Sequence, residues 1–368
     1  MLPSEGVSTD TLTTAWKVPA HKPAGVAQLS GVGYVDQSGV LYTNKYDAIT
    51  QAWGGSSIRF YFYEDVFDAM NWGDEPTATL PELYRARALQ LRDRYDHLVL
   101  AYSGGIDSTN MLEAFILNGI KVDEVLMVGA FSQDAFKGSD ENHNRDIYAN
   151  VIPTLADMDL RGAKLTYLDY SPFLRQPAQL DVSRSALWLR DIGPYISPHN
   201  FFWYELYKHI TVDRAPSQRV GVIMGCDKPR IVRRAGKYFF YFLDTGVLGY
   251  GRVGFSPKEG VDIANFYSSP ETGDLLRKQA AVCKRYIIAA ESTLRHVSLD
   301  AAVYDVRHPL IHTSVKTTST LISERDSFFR KWTGSDVAKL YCEGLIELQK
   351  KGVAGAMNQV AFSRLYEI

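Results

Sequence analysis

The sequence predicts an α/β protein. A parallel sheet flanked by helices is preceded by a small β-containing N-terminal module and followed by a mainly helical C-terminal region. Three observations lead there. His97–Tyr102 is a short apolar run that passes through two glycines into a helical stretch, Ser108–Leu117. A second apolar run, Val122–Val128, follows one helix later. Strand, helix and strand at that spacing make a parallel pair joined by a right-handed crossover. Finally, Leu165–Leu168 and Val220–Met224 supply further strands to the same sheet.

In chain order, Val32–Tyr34 and Val40–Tyr42 flank Asp36–Gly39, whose residues suit a tight turn. Ile58–Tyr63 is aromatic and β-branched, as strands prefer. These form the N-terminal module, residues 1–75. Gly73, Pro76 and Pro81 mark a linker over Trp72–Pro81. Leu80–Tyr95 then reads as a helix, with Leu83, Ala86, Leu89 and Leu91 set between charged residues. The α/β domain spans 76–260. Its helical stretches at Ser183–Asp191 and Phe201–Ile210 lie between strands, and Tyr238–Leu243 is an aromatic strand near its end. In the C-terminal region, 261–368, Thr272–Leu294 and Lys331–Gly352 read as helices.

Composition narrows the function classes. A hydrophobic share of 46% permits a substantial core, and a formal net charge of −2 gives no global basic field for non-specific nucleic-acid binding. Nucleic acid stays open as a partner. Arg230, Arg233, Arg234 and Lys237 form a local basic cluster that suits phosphate, an acidic substrate or plain solvent. Cys226, Cys283 and Cys342 are far apart, which argues against a structural zinc site or an iron–sulfur cluster. His308 and His312 have helical spacing, but Pro309 opposes the helix that would align them. No apolar run reaches membrane-spanning length, and Met1–Glu5 lacks a charged-then-apolar leader. The expectation is a soluble, cytoplasmic protein with no membrane partner.

The informative segment is Ser103-Gly104-Gly105-Ile106-Asp107-Ser108, between a strand and a helix. Two glycines let the backbone approach a ligand and turn successive amides inward. The helix N-terminus adds partial positive charge where an anion would sit. Ser103 and Ser108 offer hydroxyls to phosphate oxygens. Asp107 would repel phosphate unless Mg²⁺ lies between them, a hard cation that takes oxygen ligands. The same residues would also serve as a glycine turn with a capped helix; the strand-to-helix order favours phosphate.

This segment resembles the signature of the PP-loop ATP pyrophosphatases, the superfamily of asparagine, GMP and NAD synthetases and of tRNA lysidine synthetases. The chain has no G-x-x-x-x-G-K-[ST] run. The resemblance implies a PP-loop fold, ATP and Mg²⁺ as cofactors, and cleavage of ATP to AMP and pyrophosphate as a substrate oxygen is adenylated. It also implies that Ala101–Tyr102 and Met127–Val128–Gly129 contact the adenosine, beside Ser103, Gly104, Gly105, Ile106, Asp107 and Ser108 on the phosphates. A second loop, Gly225-Cys226-Asp227-Lys228-Pro229-Arg230, is similar in part to that of the asparagine synthetase branch, whose residue after the aspartate is acidic where this chain has Lys228. There Gly225 would allow close approach, Asp227 would give a second metal contact, and Lys228 and Arg230 would neutralise pyrophosphate. Lys278 is the first candidate for a lysine that assists adenylation, with Lys258 and Lys316 behind it.

Absences shape the reaction class. Leu2 stands where asparagine synthetases with their own glutaminase carry a nucleophilic cysteine. No paired cysteines suggest a thiolating relative. What remains is an asparagine-synthetase-like ligase that uses ammonia or an amine, from a separate donor, on a small-molecule or nucleotide substrate. The layout resembles asparagine-synthetase-like proteins of phage and bacterial genomes. A nucleotide sensor without turnover, a nucleobase- or tRNA-modifying PP-loop enzyme, and a reductase of adenylylated sulfate are the alternatives.

Overall fold

The computed structural model describes residues 31–42, 45–51, 58–129, 151–169, 215, 217–225, 230–244, 261–291 and 361–368. The helices expected at Ser183–Asp191, Phe201–Ile210 and Lys331–Gly352 lie outside them, as do Asp227, Lys228, Lys258, Lys316, Cys226 and Cys342.

A five-stranded sheet organises the described residues. Its strands are β4 (His97–Ala101), β5 (Glu124–Gly129), β6 (Lys164–Asp169), β7 (Val220–Met224) and β10 (Val261–Asn265). They run β10-β7-β4-β5-β6 across the sheet, and every pairing is parallel. The chain thus winds outward from β4 through β5 to β6, then returns to the other side of β4 for β7 and β10. Within β4 the period of two is plain. Leu98 and Leu100 join one apolar cluster, with α3 (Leu80–Arg94) and α4 (Ile106–Ile116); Val99 and Ala101 join another on the opposite face, with Val222 and Leu126. The edge strand β10 begins just past the expected boundary at 260, so the stretch read as mainly helical opens on a strand of the central sheet.

Helix α3 starts where its capping chemistry says it should. The Thr79 amide donates to Glu82 Oε2 at 2.7 Å, the Glu82 amide reaches back to Thr79 Oγ1 at 3.4 Å, and a proline sits in the first turn.

The N-terminal strands β1 (Val32–Val35), β2 (Leu41–Tyr42) and β3 (Arg59–Phe62) form an antiparallel sheet in the order β2-β1-β3. The short helices α1 (Lys45–Gln51) and α2 (Glu64–Phe67) accompany it, and α5 (Ile152–Ala156) precedes β6. A second antiparallel sheet has the order β11-β9-β8, from β8 (Arg230–Arg234), β9 (Lys237–Tyr241) and β11 (Tyr366–Glu367). The two antiparallel sheets share one apolar core, in which Phe60, Phe62, Phe67, Trp72, Phe240, Phe242 and Tyr366 are buried. Helix α6 (Gly273–Glu291) closes it with Leu276, Ala280, Cys283 and Ile287, a stripe at helical spacing, while Leu275 turns into the core of the central sheet. One helix therefore joins both cores. No helix among the described residues is long and apolar enough to cross a membrane.

Candidate functional site

In an open parallel sheet, ligands gather beyond the carboxyl ends of the strands, where the strand order reverses direction. Here that reversal falls between β4 and β7. The strand ladder carries β4 one step further, since the Tyr102 amide donates to Leu126 O at 2.8 Å. The glycine-containing loop follows at once.

Gly104 has φ +74°, a left-handed conformation that side chains disfavour, and a Cβ there would come within 2.1 Å of the buried Val151 side chain. Both facts require glycine. Gly105 is extended and serves as N-cap, with no side-chain capping bond to the first turn of α4. The first intrahelical bond runs from the Thr109 amide to Gly105 O at 3.0 Å. The amides of Ile106, Asp107 and Ser108 belong to the first turn, where a helix gives its N–H groups no carbonyl of its own.

The two serines divide the work. Ser108 is buried, donates its hydroxyl to Gly105 O at 3.0 Å and accepts from the Ser103 amide at 3.2 Å. It braces the loop from beneath. Ser103 is exposed, its Oγ 3.1 Å from Ser108 Oγ and 3.4 Å from the Gly105 amide. Asp107 is half-buried in the first turn, where the helix dipole favours a negative charge.

The remaining expected residues fall into three groups. Gly225, at the end of β7, packs directly beneath the helix start. A Cβ on it would lie 3.1 Å from Asp107 O and from Ser108 Cα, closer than most side chains pack, so the strand end and the helix start approach tightly here. Tyr102 and Met127 are buried in the core cluster. Burial raises the Tyr102 phenol above its ordinary pKa, and its hydroxyl meets Thr109 Oγ1 at 3.0 Å. Ala101 ends β4, paired with Leu126 and Met224, and Val128 and Gly129 end β5 opposite Leu168 and Asp169. The third group lies on other elements. Lys278 lies on α6, its ammonium 2.8 Å from Glu75 Oε1 and 3.0 Å from Pro76 O. Arg230 opens β8 opposite Tyr241. The basic cluster is a hairpin: Arg230, Arg233 and Arg234 lie on β8, Ala235 and Gly236 turn with φ +46° and +78°, and Lys237 starts β9.

Sequence reasoning missed Tyr267, Asn110 and Val151. Tyr267 is fully buried between β10 and α6; its hydroxyl donates to Asp107 O at 2.8 Å and accepts from Asn110 Nδ2 at 2.8 Å. No local pattern marks a contact that spans 160 residues.

Among the described residues no three His, Cys, Asp or Glu side chains gather as a metal site. Mg²⁺ still fits the donor set, because it takes one or two carboxylates and completes its shell with substrate phosphates and water. Asp107, in the first turn of α4, is one such carboxylate. A cavity of about 220 Å³ lies elsewhere, along β10, walled by Arg87, Arg94, Asp262, Asn265 and Glu271 among others. In it Arg94 pairs with Glu271 at 2.9 Å.

No family model matches the chain, and no curated protein matches it. Among solved structures, the NMN synthetase from Francisella tularensis is similar at 12% identity and a TM-score of 0.27, over 66% of this chain and all of that one. A likeness of that size adds nothing to the geometry of the site itself.

Proposed function

We propose that the loop Ser103–Ser108 holds the triphosphate tail of ATP with Mg²⁺, and that the chain cleaves ATP between the α- and β-phosphates to adenylate a substrate oxygen. One observation carries the reading: a left-handed glycine and an uncapped helix start lie where strand order reverses among the described strands. The motif resemblance narrows it from anion binding to ATP pyrophosphatase chemistry.

In this reading the amides of Gly104 to Ser108 and the exposed Ser103 hydroxyl take the phosphate oxygens. Ser108 keeps the loop in shape. Asp107 would hold Mg²⁺, which would supply positive charge beside the pyrophosphate oxygens. The substrate oxygen attacks the α-phosphorus, the bond to the bridging oxygen breaks, and pyrophosphate departs with the electron pair. Ammonia or an amine then attacks the activated carbon and AMP leaves. Backbone at Ala101–Tyr102 and Met127–Gly129 lines the nucleoside side. Asp227 is the proposed second metal contact, and Lys228 and Arg230 the cations near pyrophosphate. Lys278 is the weaker choice for that role, since Glu75 holds its ammonium.

The test is product analysis. Purified chain with ATP, Mg²⁺ and fractions of a metabolite or nucleotide extract is expected to give AMP and pyrophosphate with one fraction and not the others. ADP and phosphate as products would contradict the reading.

A further inference from the structure

We infer that Tyr267 is a positioning residue for the phosphate loop, acting through the backbone of Asp107; this rests on the phosphate-site reading above. Tyr267 is fully buried, and its ring packs edge-on against Phe266 at 5.0 Å and Tyr84 at 5.9 Å. Its hydroxyl is thus held at a fixed point. From there it donates to Asp107 O and accepts from Asn110, itself fully buried in the same helix turn. A first-turn carbonyl is ordinarily served by the helix amide four residues on, so this donor is an addition that ties the first turn of α4 to another element.

The segment bearing Tyr267 is itself pinned. Arg87, buried in α3, donates to Phe266 O at 3.1 Å and Asn265 O at 2.6 Å, and Thr272 Oγ1 donates to Tyr267 O at 3.0 Å. Gly225 also packs close to this turn, where an added Cβ would lie 3.1 Å from Asp107 O and Ser108 Cα. Asp107 is therefore located by two strand ends, β7 through contact and β10 through a hydrogen bond. The carboxylate that would face Mg²⁺ is aimed from outside its own loop.

Tyr267→Phe keeps the ring and removes the bond. Binding of α,β-methylene-ATP, which resists cleavage at the scissile bond, is measured by calorimetry across a Mg²⁺ titration, with the melting temperature read alongside. The Mg²⁺ concentration at half-saturation is expected to rise about tenfold, the scale of one lost hydrogen bond, with metal-free nucleotide binding unmoved. In an Asp107→Asn background the same change should have no further effect on Mg²⁺ dependence. Asn110→Ala, which leaves the bond to Asp107 in place, should lower the melting temperature and shift the Mg²⁺ midpoint far less. A Tyr267→Phe protein that melts lower with an unmoved Mg²⁺ midpoint overturns the inference and leaves the phosphate site standing. A wild-type chain that binds no Mg²⁺-nucleotide overturns both.

Discussion

Asp107 and Gly104 carry the account at the scale of single residues. Asp107→Ala should remove turnover by at least about 100-fold, and the helix-dipole interaction it loses is worth roughly 0.3–1 kcal/mol. Steady-state pyrophosphate release and a thermal melt check the two halves. Gly104→Ala forces a side chain into a left-handed backbone and into Val151. A loss of about 1–3 kcal/mol is expected on strain alone, measurable by urea denaturation, together with lost nucleotide binding. At this scale the sequence was informative wherever a short motif sets geometry. The strand-to-helix turn at Ser103 to Ser108 was legible because consecutive residues build the whole of it. It did not separate the roles of Ser103 and Ser108, since which hydroxyl faces outward depends on how the loop folds back on itself. Gly225 was read as allowing close backbone approach, and the described approach is to the start of α4.

The elements around the loop are held by pins at their ends. Asp123, just before β5, accepts from Arg92 Nη1 of α3 at 2.6 Å, Lys121 Nζ at 2.7 Å and the Leu98 amide of β4 at 2.9 Å. Burial would raise this carboxyl, but those three bonds outweigh it and hold it down at about 2. A depressed folded-state pKa stabilises above the unfolded value of about 3.9 and loses that stabilisation as pH falls through the folded one. Stability should therefore decline between about pH 4 and pH 2, and Asp123→Asn should flatten that decline while lowering stability at neutral pH by roughly 1–3 kcal/mol. Denaturant midpoints across that range test it. Strand β4, helix α3 and helix α4 were legible from periodicity. Strand β10, Val-Asp-Ile-Ala-Asn, was not, because an edge strand with polar alternate residues looks like a loop. Strand β8 hid its period of two behind three arginines.

Across the whole molecule, segments distant in sequence are tied by a buried ion pair. Lys45 of α1 lies 2.9 Å from Asp244, and both are essentially inaccessible. Asp244 also accepts from the Ala361 amide at 2.8 Å and from the Tyr34 hydroxyl at 3.3 Å. Burial pushes the Asp244 carboxyl up and the Lys45 ammonium down, and each opposes the other's shift. Asp244→Ala should cost about 3–5 kcal/mol by stranding the lysine, and the double replacement Lys45→Met with Asp244→Leu should regain part of it, the Ala361 amide and Tyr34 hydroxyl still lacking their acceptor. Equilibrium denaturation of both variants decides; equal losses would show that the pair does not act as a unit. The α/β class and the parallel sheet were legible from strand and helix order. The shared core of the N-terminal strands, β8, β9 and the segment from Ala361 was not, since nothing local tells residue 34 that residue 244 lies beside it.

The central claim is that the turn between β4 and α4 receives the triphosphate of a nucleotide. A crystal of the chain grown with α,β-methylene-ATP and Mg²⁺ tests it most directly. The account predicts phosphate density on the amides from Gly104 to Ser108, with a metal at Asp107. Nucleotide density at another place, with that turn holding only solvent, would contradict it.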